Sequence, residues 1–115
     1  MRPEVAIREL LADVRQPVIL CGHTHIPRVV QLANGQLVVN PGSIGLPAYR
    51  DDLPVPHAME TYAPLASYAI LEKRSGVWNV SFERVAYDCE AAARCAESHG
   101  RADWAYALRT GRALA

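Results

Sequence analysis

The chain has 115 residues, half of them apolar and about a fifth charged, with twelve acidic and twelve basic side chains in balance. That length allows one domain with a core of its own, and the charge balance leaves no electrostatic footprint for nucleic acid or an anionic membrane. No apolar run approaches the roughly 20 residues of a membrane span, and Glu4, Arg8 and Glu9 interrupt any signal-peptide-like apolar region at the start. The default location is a bacterial-type cytoplasm. Cys21, Cys89 and Cys95 form no CxxC pair and are odd in number, so they are expected to be reduced and structural, Cys21 as a small buried hydrophobe.

In chain order, residues 3–14 predict a helix. Pro3 suits a first turn, and Ile7, Leu10, Leu11 and Val14 recur on one face. Gln16-Pro17 ends it. Val18 to Cys21 is a short continuous apolar run, the pattern of a strand buried on both faces. Gly22 to Pro27 is a loop. Arg28 to Ala33 and Gln36 to Asn40 read as two strands joined by Asn34-Gly35, a strong hairpin signal. From Pro41 to Pro64 the chain is expected to be irregular, with five prolines and an acidic pair at Asp51-Asp52.

Ala66 to Lys73 is a further strand, turned by Ser75-Gly76 into Val77 to Ala86. There Trp78, Val80 and Phe82 alternate with polar residues, so one face packs. Asp88 is positioned to cap a helix running to about Ser98 and stopped by Gly100. Asp103 is expected to cap a last short helix, with Trp104 and Leu108 on one face and Gly111 beyond its end. The fold class is therefore α/β (α+β): a sheet with helices on one side, whose other side something must cover.

Chemistry concentrates in Gly22-His23-Thr24-His25. In an extended segment, histidines at i and i+2 point to one side, and Pro27 biases Ile26 toward extended geometry. Gly22 removes a side chain where a strand ends, so other groups can approach. Neutral imidazoles suit zinc, manganese or iron. From spacing alone, a metal-binding pair and a chance pair on a surface turn both remain open.

Val18 to Pro27 resembles the last signature of the calcineurin-like metallophosphoesterases. Asn40-Pro41-Gly42-Ser43-Ile44-Gly45 resembles the NPGS segment that follows it in smaller bacterial and archaeal members. Ala66 to Leu71, and Arg84 to Asp88 leading into a helix pair, continue the likeness. The resemblance implies a four-layer αββα sandwich with two divalent metal ions (manganese, iron, zinc or nickel) at one edge. Those ions bind phosphate oxygens of a phosphate-ester substrate and lower the pKa of a bridging water, which attacks phosphorus. It also implies that His23 ligates one metal and His25 the other, with Gly22, Asn40 and Gly42 forming turns beside them.

The family's other ligand motifs (GDxH, GDxxD, GNHD or GNHE) are not found in this sequence. The expectation is thus a C-terminal half of a metal-dependent phosphoesterase, completed by an N-terminal half or by self-association. The alternative is a non-catalytic binding module on the same fold. His57, Asp51, Asp52 and Glu60 have ligand chemistry but read as solvated loop residues, and His99 as a helix-closing residue. Ser43 is not a nucleophile elbow. Thr24 is expected to bond locally; Arg28, Tyr49 and Arg50 have the chemistry to meet a substrate phosphate, arginine suiting oxyanions, but are expected to lie on the surface. Nothing in the sequence selects a substrate.

Overall fold

Proline at position 3 opens the first helix as expected. In the computed structural model, which describes residues 2–115, the Pro3 carbonyl accepts from the Ala6 and Ile7 amides. Helix α1 spans Glu4–Leu10 and gives way to a turn at residues 11–13, shorter than the apolar periodicity implies. Ile7, Leu11 and Val14 are half-buried, whereas Leu10 is exposed. A carboxylate oxygen of Glu4 accepts from the Ala33 amide at 2.8 Å, tying the helix to the turn of the following hairpin.

Strands β1 (Val18–Leu20), β2 (Arg28–Gln31) and β3 (Leu37–Asn40) form a sheet in the order β1-β3-β2. β1 pairs parallel with β3, Leu20 opposite Val39, and β2 pairs antiparallel with β3, Val29 opposite Val39. The β2–β3 connection spans residues 32–36, with three residues inside the Leu32–Gln36 bond rather than a two-residue turn. The Leu32 amide donates to Gln36 O, the Gly35 amide donates to Leu32 O, and of Asn34 and Gly35 only the glycine is left-handed (φ 90°). A type I turn followed by a left-handed glycine is the usual form of such a loop. Val39, at the centre of the sheet, is the largest fully buried side chain.

The stretch expected to be irregular holds a second sheet: β4 (Ala48–Asp51) and β5 (His57–Glu60), antiparallel, with Asp51 opposite His57. Its strands are four residues long and carry Tyr, Arg, Asp, His and Glu, so no apolar alternation marks them. Pro47, Pro54 and Pro56 lie outside both strands, where a missing amide costs no ladder bond. Strands β6 (Ala66–Arg74) and β7 (Val77–Val85) form a third sheet. Ser75 (φ 50°) and Gly76 (φ 79°) make the two-residue turn with both angles positive that matches strand twist. Trp78 and Phe82 are each 36% exposed and Val80 is half-buried, so the face expected to pack does so only in part.

Helix α2 (Cys89–Ser98) is capped as expected by Asp88, whose carboxylate accepts from the Ala91 amide at 3.1 Å. Helix α3 (Ala102–Thr110) differs from expectation. Its N-cap is Arg101, without a side-chain cap bond, and Asp103 sits inside the first turn, bonded to the Arg101 guanidinium. That guanidinium stacks 3.7 Å from the Trp104 ring centre, which keeps the indole outside while Leu108 is buried against Ala93 and Ala105. Arg109 bonds both Glu90 and Glu97 across the helix pair. Gly111 closes α3 in a left-handed conformation (φ 67°), with its would-be Cβ against the Ala63 backbone.

Among the described residues the result is a mixed α+β architecture of three small sheets and three helices, not one continuous sheet. The expectation that β1 is buried on both faces fails: Leu20 is 68% exposed, and Cys21 is exposed rather than buried. The radius of gyration is 16.3 Å, against about 13 Å for a compact chain of this length. The accessible surface is 7637 Å², against about 6,200 Å² for a folded monomer of this size. Much apolar surface therefore faces solvent. No helix among the described residues is long and apolar enough to cross a membrane.

Candidate metal-binding loop

Because β1 and β3 run parallel and in register, their C-terminal ends lie side by side. The loop after β1 carries Gly22 to His25, and the turn after β3 carries Asn40 to Ser43. Sheet topology thus brings together two segments about eighteen residues apart. Loops at the carboxyl ends of strands are where layered α/β proteins place ligands.

Asn40 fastens the two segments. It is 7% exposed, and its side-chain amide donates to the Gly22 carbonyl (3.3 Å) and the Thr24 hydroxyl (3.0 Å). Its carbonyl oxygen accepts from the Gly42 amide at 3.0 Å. Thr24 in turn accepts from the Ile26 amide at 3.4 Å, the local bond expected of it. Gly42 (φ 85°) is needed here for two reasons: the left-handed angle, and a Cβ that would come 2.9 Å from both Pro27 Cγ and Ser67 Cβ. Gly22 is different. No atom lies within 4 Å of where its Cβ would be, so it does not serve close approach.

The histidine loop is not extended. His23 and His25 both have positive φ, 78° and 63°, which costs a non-glycine residue energy and persists only where surroundings enforce it. The i, i+2 argument for a shared side therefore does not apply. What orients the rings is tertiary. His25 Nδ1 lies 2.9 Å from the Leu46 carbonyl, so it carries the proton and donates, leaving the Nε2 lone pair available. A backbone carbonyl fixing the far nitrogen is the usual support of a metal-ligating histidine. His23 is exposed, and its own carbonyl accepts from the Tyr49 hydroxyl at 2.8 Å.

Tyr49, on β4, stands among three imidazoles. Its ring centre is 4.8 Å from His25 in an edge-on arrangement, 6.2 Å from His23 and 6.3 Å from His57. Burial, and then the nearby charge of Asp51, push its phenol above the ordinary value of 10, so it remains a donor through the neutral range. Tyr49, expected on the surface, is half-buried. Its hydroxyl partner is a main-chain carbonyl 26 residues away, which no local pattern announces.

Of the other candidate residues, His57 stands beside the same tyrosine, and its Nδ1 bonds the Val55 carbonyl at 2.8 Å, the same kind of support that His25 has from Leu46. Asp51 accepts from the Leu53 amide. Glu60 accepts from the Ala113 amide, and Arg50 donates to the Leu114 carbonyl. Ser43 Oγ accepts from the Leu46 amide, a turn role. His99 Nδ1 lies 2.9 Å from the Cys95 carbonyl at the end of α2. Arg28 lines an apolar cleft of about 380 Å³ between α1 and the first sheet, which has Gly22, Thr24 and Asn40 along its wall.

Among the described residues, no group of three His, Cys, Asp or Glu side chains is placed to hold a metal. Hydrolytic sites usually take three or more protein ligands. His25, with Nδ1 on the Leu46 carbonyl, and the exposed His23 are two imidazoles of the chemistry that divalent metals take.

No curated protein matches the sequence. Among solved structures, vacuolar protein sorting 29 from Cryptosporidium parvum is similar at 20% identity and a TM-score of 0.34, covering 72% of this chain and 44% of that one. The chain thus spans less than half the length of that solved relative. The family model for the calcineurin-like phosphoesterase superfamily domain matches residues 2–70, more than half of the chain and the part that carries both loops. The chain belongs to the calcineurin-like phosphoesterase superfamily.

Proposed function

We propose that this chain contributes His23 and His25 to the divalent-metal centre of a phosphoesterase acting on phosphomonoesters or phosphodiesters. The observation that carries the reading is the Leu46 carbonyl bond to His25 Nδ1, which presents Nε2 as a ligand from a loop held by Asn40. In this reading His23 and His25 supply one imidazole each, to manganese, iron, zinc or nickel. Such metals, when bound, polarise the phosphate and activate water. The chain's own residues hold the loop: Asn40 fixes its start, Leu46 fixes the His25 tautomer, and Gly42 lets the two turns meet.

The remaining ligands come, in this reading, from a complementary N-terminal half that completes a four-layer sandwich in the cytoplasm, or from a second copy. The excess apolar surface supports a need for such a partner. The same surface also favours a second reading, a non-catalytic binding module.

The test is manganese-dependent hydrolysis of p-nitrophenyl phosphate and bis-p-nitrophenyl phosphate. It is run on the chain alone and with a complementary half carrying the GDxH-type motifs, each beside His23→Ala/His25→Ala. Hydrolysis that appears with the complementary half and vanishes in the double variant supports the proposal. Folded, partnered protein without metal-dependent hydrolysis would leave the binding module as the better account.

A further inference from the structure

We propose that Tyr49 is a positioning residue for both candidate ligands, holding the histidine loop in its strained conformation and setting the presentation of His23 and His25 to metal. This inference rests on reading those two histidines as metal ligands.

Three observations converge. First, the loop stores strain at two positions. Positive φ at both His23 and His25 is unfavourable for side chains branched from an ordinary Cβ, so contacts outside the loop must hold it. Second, Tyr49 makes such contacts at both strained residues. Its hydroxyl donates to the carbonyl of His23, and its ring meets the imidazole of His25 edge-on at 4.8 Å. The hydroxyl fixes the peptide that follows His23, and the aromatic packing restricts the rotation of His25 about its Leu46 bond. Third, Tyr49 is itself anchored. Within β4 it pairs with Met59. Its neighbour Arg50 donates to the Leu114 carbonyl, and Glu60 across the hairpin accepts from the Ala113 amide. The C-terminal segment thereby braces the strand that braces the loop. The other fastening, through Asn40, reaches Gly22 and Thr24 but neither histidine, so the two anchors divide the loop between them.

Ligand geometry set by outer residues typically changes metal affinity 10- to 100-fold. The experiment uses the full chain and zinc ion alone as the probe, with affinity measured by calorimetry. Tyr49→Phe, which keeps the ring and removes the hydroxyl, is expected to bind zinc about tenfold more weakly. Tyr49→Leu, which removes both contacts, is expected to lose more. Long-range proton–nitrogen spectra of the imidazoles supply a readout independent of metal. In Tyr49→Phe the signals of His23 and His25 should shift and those of His99 should not. Asp88→Ala, which removes the side-chain cap of α2 and so destabilises the chain without touching β4 or the histidine loop, controls for a merely structural effect and should retain wild-type affinity.

Unchanged zinc affinity and unchanged His23 and His25 signals in Tyr49→Phe, with binding abolished by His23→Ala/His25→Ala, would overturn the role of Tyr49 and leave the metal reading intact. Zinc binding that survives the double histidine variant would overturn the metal reading itself, and this inference with it.

Discussion

The Asn40 side-chain amide donates to the Thr24 hydroxyl over 3.0 Å, joining the end of β3 to the residue that separates the two candidate ligands. The same side chain also serves Gly22 and Gly42, so one buried residue satisfies polar groups on two loops. Truncation would leave a carbonyl, a hydroxyl and an amide without their partner. Asn40→Ala is therefore expected to lower the unfolding free energy by about 1–3 kcal/mol, measured by urea denaturation. Asn40→Asp retains the acceptor for the Gly42 amide but loses both donated bonds. It should fall no closer to wild type than half the alanine effect.

Gly42 combines a left-handed backbone with contacts at 2.9 Å to where a side chain would begin. Gly42→Ala must push Pro27 away from the loop or displace β6 at Ser67. The expected cost is about 1–3 kcal/mol, with the thermal midpoint lowered accordingly. Gly22→Ala is the contrast, since the space beside Gly22 is open and its φ is not positive. It should change stability by less than about 0.5 kcal/mol. Equal effects at the two positions would refute this account of the turn.

The helix pair should be sensitive to acid. The guanidinium of Arg109 holds the Glu90 and Glu97 carboxyls below their ordinary range, and the Arg101 guanidinium lowers Asp103 from 3.8 to about 2. A carboxylate with a depressed folded pKa lends stability above its unfolded pKa, and that stability is lost as pH falls toward the folded value. For Asp103 the window is about pH 4 down to about pH 2. The thermal midpoint followed by far-UV circular dichroism should drop through this range. Arg109→Met should start lower at neutral pH and show a smaller drop, since these exposed pairs are then already broken. Added salt should narrow the difference between the two proteins.

The accessible surface exceeds that of a folded monomer of this size by about 1,400 Å². A standard protein interface takes about 800 Å² from each partner, so the excess is large enough to be covered by association. Leu20, Ile44 and the β6–β7 hairpin with Tyr68, Ile70 and Val77 are prominent in it. The chain alone is expected to elute larger than a monomer in size-exclusion chromatography, and to shift to a discrete complex when a complementary half is supplied. A monodisperse monomer with a cooperative thermal transition would count against a need for a partner.

Much of the element order was legible in residues whose effect is local. Pro3 and Asp88 bond backbone amides within three or four residues, and Ser75-Gly76 sets a turn by the φ values it tolerates. The motif Gly22 to His25, with Asn40 to Ser43 behind it, was legible as a family signature because both segments are contiguous in sequence. By itself the sequence determined the family, through these two segments, and most of the helices and hairpins that bracket them.

The tertiary structure decided the rest. The β4–β5 hairpin escaped notice because its strands are four residues long and polar, so they carry no apolar period and are ordered by packing against α3 and the C-terminal segment. For the same reason Tyr49 read as surface: its partners are a carbonyl and an imidazole more than twenty residues away. The histidine loop read as extended from Pro27 and its spacing, yet it is held with two positive φ values by bonds to Asn40, Leu46 and Tyr49. Local preference is worth fractions of a kcal/mol per residue, and several long-range hydrogen bonds acting together outweigh it.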